Sequence, residues 1–136
     1  MTLTDAGPLV ALIDAGEPDH ERCRIALDAL QLPLLTTWPA FTEAIYLLGR
    51  AAGWPAQLAL WRMIDRDVLA VAELSGELAA RSAELMGKYR DHPMDFADAT
   101  LVAVAEERGA RVIFSLDSDF RSYRLRGGRH LDLVPS

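Results

Sequence analysis

Short apolar segments alternate with longer segments of helical periodicity along most of this chain, and this alternation constrains the fold more than any other feature. The short segments are typical of buried strands. They span residues 1–4, 32–36, 68–71, 112–116 and 131–134. Strands that alternate with helices in this way predict an α/β fold with a mainly parallel sheet of about five strands. Right-handed crossovers then cover both faces of the sheet with helices.

Proline and glycine mark the ends of the predicted helices. Pro8, Pro39 and Pro55 each stand near the start of a helix, where a missing backbone N–H is tolerated. Gly109 ends another helix. The predicted helices span residues 8–16, 20–30, 38–49, 54–65, 75–89 and 95–108. No internal repeat or interdomain linker interrupts this pattern, so we expect one domain over residues 1–136.

Composition narrows the class of protein. The chain is 51% hydrophobic and 25% charged, which is typical of a globular domain. No apolar run approaches the roughly 20 residues that cross a membrane, and no N-terminal targeting signal is evident. Cys23 is the only cysteine, so no internal disulfide can form and a cytoplasmic location is expected. The net charge of −6 argues against a protein that simply coats nucleic acid.

Two carboxylates three residues apart, Asp95 and Asp98, stand at the predicted start of the helix 95–108. Pro93 marks the boundary before that helix, and positions three apart share one helix face. One interpretation is structural: Asp95 caps the helix, and Asp98 complements its positive N-terminal end. Other acids at the ends of predicted elements favour a functional role in addition. These acids are Asp5, Glu43, Asp117 and Asp119.

Several of these acids are expected at one edge of the sheet. Ligands of open α/β sheets bind outside the carboxyl ends of the strands. Asp5 and Asp117 follow two predicted strands, and Glu43 and Asp98 lie near the starts of helices that can cover the same edge. Ionised carboxylates sharing one pocket repel each other unless a cation neutralises them. Because all-oxygen ligand sets select hard ions, we expect Mg²⁺ or Mn²⁺ and not Zn²⁺.

Phosphodiester hydrolysis is the reaction class that such a site indicates. Mg²⁺ held by few carboxylates keeps water ligands and positions for phosphate oxygens. One ion can activate a water, and a second ion about 4 Å away can stabilise the leaving oxygen. Either one or two ions fit the pattern. The candidate ligands are Asp5 and Asp98 at the centre, Glu43 and Asp117 to complete the shell or orient water, and Asp95 and Asp119 as further or alternate ligands.

Four arginines follow Asp117 within a short loop, at positions 121, 124, 126 and 129. Arg121, Arg124 and Arg126 are candidates to hold a nucleic-acid backbone beside the metal site, with Tyr123 available for base stacking. The alternative is a solvated loop with one buried tyrosine. Tryptophans at the spacing of positions 38, 54 and 61 are more often core residues than base platforms.

Four segments in this order resemble PIN-domain ribonucleases, most of all the VapC-type toxins of bacterial toxin–antitoxin pairs. The segments are TDAGPLVAL (4–12), TWPAFTEA (37–44), MDFADA (94–99) and FSLDSDF (114–120). The resemblance covers nearly the whole chain. It implies a PIN-like three-layer α/β/α fold and a Mg²⁺- or Mn²⁺-dependent endoribonuclease that acts on RNA. It also implies a homodimer and a cognate antitoxin that inserts a segment into the active groove.

The family's acids can be carried over position by position. Its four acids match Asp5, Glu43, Asp98 and Asp117, and acids of the most similar subgroup match Asp95 and Asp119. The stretch from Asp117 to Phe120 is one residue shorter than in many relatives. Either Asp117 or Asp119 therefore supplies the fourth ligand.

Three alternatives are compatible with parts of the pattern. A phosphorylatable signalling domain also gathers carboxylates at strand ends, but it needs a lysine near the last strands, and the only lysine is Lys88 in another helix. A PIN-like scaffold that binds RNA or protein without cutting has no need of the acids. A PIN-like RNA-processing nuclease outside any toxin–antitoxin pair would use the same site.

Overall fold

Five strands form one central sheet in the computed structural model of the chain, which describes residues 1–92 and 94–136. The strands are β1 (Thr2–Thr4), β2 (Leu34–Thr37), β3 (Leu69–Ala72), β4 (Val112–Phe114) and β5 (Asp132–Val134). They lie in the order β3-β2-β1-β4-β5, and every neighbouring pair is parallel. β1 is thus the middle strand, with Leu3 opposite Leu35 of β2 and Ile113 of β4. The predicted parallel sheet is confirmed.

Helices cover both faces of the sheet. They are α1 (Ala6–Ile13), α2 (His20–Asp28), α3 (Trp38–Ala52), α4 (Trp54–Asp65), α5 (Gly76–Lys88) and α6 (Phe96–Arg108). Successive strand residues point to opposite faces. Leu35 and Ile113 pack with buried residues of α5 and α6, whereas Leu34 and Phe114 pack with those of α1, α3 and α4. The result is the predicted three-layer α/β/α arrangement.

α6 is the most deeply buried helix that borders the acidic edge. Residues 97–105 are all buried, and small side chains such as Ala99 and Ala103 let the helix pack closely against its neighbours. Asp95 caps its N-terminus, because the Asp95 side chain accepts a hydrogen bond from the Asp98 backbone N–H. Gly109 ends the helix in the left-handed conformation that favours glycine, with φ of 69°. The boundary predicted at Pro93 lies outside the described residues.

The carboxyl ends of the three central strands lie at one edge of the sheet. The chain leaves β1 at Asp5, β2 after Thr37 and β4 at Ser115. The strand order runs from β1 toward β2 and β3 on one side and toward β4 and β5 on the other. The direction of winding therefore changes at β1, which is the kind of position where open α/β sheets bind ligands.

Three local features differ from the sequence-based prediction. α1 begins at Ala6, two residues before Pro8, since backbone N–H groups of the whole first turn lack intrahelical partners and proline is tolerated there. A 3₁₀-helix, Ser118–Arg121, occupies part of the predicted loop after β4. Trp38, Trp54 and Trp61, expected in the core, are 43%, 60% and 41% exposed.

Within the described part of the chain, no helix combines the length and apolarity needed to span a membrane.

Candidate active site

Asp5 joins the ends of β1 and β4. It directly follows β1 and is 9% exposed. Its Oδ1 accepts a hydrogen bond from the Ala6 backbone N–H at 2.8 Å, which caps α1, and its Oδ2 accepts one from Ser115 Oγ at 3.0 Å. Ser115 Oγ in turn accepts a hydrogen bond from the Asp117 N–H at 3.0 Å. Ser115 thus links the first predicted ligand to the segment that carries another.

Asp98 lies in the first turn of α6 and is 6% exposed. Its backbone N–H donates to Asp95 Oδ1 at 2.8 Å, so the capping role predicted for Asp95 is confirmed. The Tyr123 hydroxyl donates to Asp98 Oδ2 at 3.3 Å. Asp98 therefore receives support from its own helix and from the loop that follows β4.

The remaining candidate acids are more accessible to solvent. Glu43 is exposed in the second turn of α3, and Asp95 is exposed at the start of α6. Asp117 is half-buried and caps the 3₁₀-helix, because its Oδ1 accepts a hydrogen bond from the Asp119 N–H at 2.9 Å. Asp119 itself is exposed. Asp95 and Asp117 are each held by a hydrogen bond at the start of a helix, whereas Glu43 and Asp119 are exposed.

Electrostatic repulsion connects five of the six candidate acids, namely Asp5, Glu43, Asp95, Asp98 and Asp117. Burial, together with the negative charges of Asp95, Asp5 and Asp117, raises the pKa of Asp98 to about 8. Burial is also the main reason that the pKa of Asp5 is raised, with repulsion from Asp95 and Asp117 adding to it. Glu43 is exposed but partly desolvated, and this partial desolvation, followed by repulsion from Asp5, Asp95 and Asp117, raises its pKa. The structure thus brings together side chains that are far apart in sequence.

The sequence model of the PIN domain family matches residues 2–125 of this chain. The chain belongs to the PIN domain family. It is 28% identical over 134 residues to Ribonuclease VapC26 of Mycobacterium tuberculosis, and the aligned region covers 98% of this chain and 99% of that protein. This membership confirms the resemblance inferred from the four sequence segments and leaves the signalling-domain alternative without support.

Solved structures show the same fold. The crystal structure of VapC20 from Mycobacterium tuberculosis, described as a sarcin-ricin loop cleaving toxin, has a TM-score of 0.83 and 23% identity, covering 90% of this chain and 94% of that one. A toxin–antitoxin complex from Klebsiella pneumoniae has a TM-score of 0.66 and 20% identity, covering 88% of this chain and 90% of that one. At these identities the likeness concerns the fold.

The acidic edge of this PIN domain suits a hard cation by charge and by donor type. All the candidate ligands are carboxylates, and within residues 1–92 and 94–136 no ion pair involves any of the six candidate acids. In their present positions, however, no three His, Cys, Asp or Glu side chains of the described residues form a group that could hold a metal ion. Shared coordination therefore requires the carboxylates to turn toward one point.

The arginines of the loop that follows β4 (residues 121–129, the arginine-bearing loop) differ in their exposure to solvent. Arg121 and Arg126 are exposed. Arg124 is half-buried, and its Nη1 donates to the Arg121 carbonyl at 2.7 Å and to the Tyr123 carbonyl at 3.3 Å. Tyr123 is buried, so its ring cannot stack on a base. The base-stacking role predicted for Tyr123 is therefore wrong, whereas backbone contacts by the arginines stay a prediction.

Two contacts at the acidic edge of this PIN domain were not predicted from the sequence. The first is made by Ser115, for which a hydroxyl two residues before Asp117 at the end of a strand is a usable signal. The second contact is between Thr37 Oγ1 and Thr100 Oγ1, which lie 2.7 Å apart and join the end of β2 to α6. Both contacts tie elements at the acidic edge together.

Proposed function

We propose that this PIN domain is a Mg²⁺- or Mn²⁺-dependent endoribonuclease that hydrolyses RNA phosphodiester bonds as the toxin of a toxin–antitoxin pair. The observation that carries the proposal is the group of mutually repelling acids at the carboxyl edge of the sheet, centred on buried Asp5 and Asp98. Uncompensated buried charge is costly, and a bound cation offsets that cost. Similarity to Ribonuclease VapC26 supports RNA as the substrate.

Each acid has a role in this scheme. Asp5 and Asp98 would hold the cation, with Asp117 or Asp119, Glu43 and Asp95 as the remaining candidates. Mg²⁺ or Mn²⁺ would supply positive charge and lower the pKa of a water at the scissile phosphate. Ser115 keeps the Asp5 carboxylate fixed through its 3.0 Å hydrogen bond. The accessible carboxylates of Glu43 and Asp117 would orient the attacking water and accept its proton.

Arg121, Arg124 and Arg126 are proposed to contact the RNA backbone. An acidic edge repels a polyanion, and positive charge nearby reduces that repulsion. Arg121 and Arg126 have exposed side chains on the loop that also contains Tyr123, the hydrogen-bond partner of Asp98. Their contribution would be to affinity and positioning, since guanidinium groups contact phosphates without reading the sequence.

The assembly and cellular setting are proposed from the similarity to VapC-type proteins. We propose that residues 1–136 act as a single domain in the cytoplasm, that two copies form a homodimer, and that a cognate antitoxin silences the nuclease. Co-expression with the neighbouring reading frame, followed by mass measurement of the purified complex, tests both assembly proposals.

RNA cleavage tests the activity directly. The wild-type protein, Asp5→Asn and Asp98→Asn are incubated with total RNA in Mn²⁺ and in EDTA, with Asp65→Asn as a matched control at an exposed site on α4. We expect the wild type and the control to cleave only with Mn²⁺, and the two site variants to lose at least about 100-fold in rate. Equal rates in all four proteins would overturn the proposal.

A scaffold that binds without cutting is the second candidate. It is favoured by the present side-chain positions, because no three His, Cys, Asp or Glu side chains of the described residues lie close enough together to hold a metal ion. Binding of an ion to the folded state raises the melting temperature. A melting temperature unchanged by millimolar Mn²⁺, together with intact RNA, would support the scaffold.

A further inference from the structure

Tyr123 connects the loop after β4 to the acidic site. Its hydroxyl donates to Asp98 Oδ2 at 3.3 Å, and the residue is only 2% exposed. The two residues are 25 positions apart in sequence, so the bond joins two separate elements. A tyrosine hydroxyl donates one hydrogen, and here that hydrogen is committed to the carboxylate of a proposed ligand.

Neighbouring aromatic rings fix the Tyr123 side chain. The Tyr123 ring lies edge-to-face with Tyr89 at 5.1 Å and with Phe120 at 5.4 Å. Phe120 is fully buried. The Tyr89 hydroxyl accepts a hydrogen bond from the Arg124 N–H at 2.8 Å, which fixes the backbone next to Tyr123. Because the ring cannot swing away without breaking these contacts, the direction of its hydroxyl is set by packing.

Two hydrogen bonds from different elements therefore restrain the position of Asp98. The Asp98 N–H is bonded to the Asp95 side chain and fixes the backbone, whereas the Tyr123 hydroxyl restrains the carboxylate. A ligand that is held before the ion arrives loses less conformational freedom on binding. Hydrogen-bond partners of metal ligands commonly control affinity for this reason.

We propose that Tyr123 is a positioning residue that restrains the Asp98 carboxylate, so that the more exposed acids turn toward Asp98 when a hard divalent cation binds. The identity of the ion rests on the proposed function, while the restraint of Asp98 does not. The same side chain fixes the arginine-bearing loop relative to the acids. Loss of the hydroxyl alone should thus affect ion binding more than folding.

The affinity for Mn²⁺ distinguishes a positioning role of the Tyr123 hydroxyl from a role of its ring in packing. Mn²⁺ dissociation constants are measured by calorimetry for the wild type, Tyr123→Phe and the control Tyr46→Phe, which removes the hydroxyl of an exposed tyrosine on α3. We expect binding to weaken by about tenfold in Tyr123→Phe and by less than about twofold in Tyr46→Phe. Wild-type affinity in Tyr123→Phe, or equal weakening in both variants, would overturn the proposal.

Thermal melting without metal tests the restraint of Asp98 by Tyr123 independently of any bound ion. Melting temperatures in EDTA are compared for the wild type, Tyr123→Phe, Asp98→Ala and the double variant. If Tyr123 restrains Asp98, the loss caused by Tyr123→Phe shrinks when Asp98 is already absent, because residues in contact are not additive. Additive losses would contradict the restraint. A wild type that neither binds Mn²⁺ nor cleaves RNA defeats the proposed function, while this comparison still decides the role of Tyr123.

Discussion

Ser115 Oγ lies 3.0 Å from Asp5 Oδ2 and joins the carboxyl ends of two neighbouring parallel strands. The same oxygen accepts a hydrogen bond from the Asp117 N–H at 3.0 Å. One hydroxyl therefore sets the relative position of the Asp5 carboxylate and the backbone that carries Asp117. The two acids are separated by most of the chain, and this buried contact is what makes them neighbours.

Removal of that hydroxyl should affect both stability and cleavage. In Ser115→Ala, the Asp5 carboxylate and the Asp117 N–H lose a buried partner, and we expect a loss of about 1–3 kcal/mol in the free energy of unfolding. Urea denaturation in EDTA measures the loss, with the exposed Ser122→Ala as control. RNA cleavage should fall as well. A Ser115→Ala protein with wild-type stability and rate would show that the bridge has no function.

The pKa of Asp98 predicts how the metal-free protein responds to pH. Folding raises this pKa from 3.8 to about 8, so the native state binds more protons than the unfolded state between those values. Stability should thus fall as pH rises through this range, by an amount on the order of a few kcal/mol. Asp98→Asn should flatten the profile. Melting curves in EDTA across the range test this, and parallel profiles for the two proteins would contradict it.

A clamp between α5, α6 and the arginine-bearing loop should stabilise that loop. Arg81 donates to Glu106 at 2.8 and 3.0 Å, and Glu106 Oε2 also accepts a hydrogen bond from the Arg126 N–H at 2.7 Å. Because this carboxylate is poorly exposed, we expect Glu106→Gln to cost about 1–3 kcal/mol of unfolding free energy. Glu107→Gln, at the exposed neighbour, is the control. Equal denaturation midpoints for the two variants would rule out the clamp.

Two exposed arginines should control RNA affinity. Arg121→Gln and Arg126→Gln each remove an exposed positive charge from the arginine-bearing loop, while Arg66→Gln removes one from an exposed site after α4. Binding to a fluorescent RNA in Ca²⁺ or EDTA should weaken in the first two, and the slope of log affinity against log salt should decrease by about one unit per contact. If all three variants show the same slope as the wild type, RNA does not contact this loop.

Much of this fold could be predicted because the relevant information is local. Apolar runs that stop at Asp5 and shortly before Asp117 indicate where two strands end, and parallel strands place those ends at one edge. The pair Asp95 and Asp98 has the spacing of a helix cap, and Gly109 supplies the left-handed residue that ends α6. These features depend on neighbours within a few positions.

The features that were missed depend on contacts between distant segments. The loop after β4 has no periodicity that could decide between a buried and a base-stacking Tyr123 or predict its bond to Asp98. The exposure of Trp38 likewise depends on what packs near α3, although aromatic residues usually favour the core. The orientation of each carboxylate depends on its tertiary partners, and its final direction depends on any ion it binds.

The most direct test of the central claim is a crystal structure grown with Mn²⁺ and recorded at a wavelength where manganese scatters anomalously. We predict an anomalous peak within about 2.2 Å of an oxygen of Asp5 and an oxygen of Asp98, the distance at which carboxylates bind such ions. At saturating Mn²⁺, an acidic edge with no peak, or a peak that touches neither of these two residues, would contradict the account.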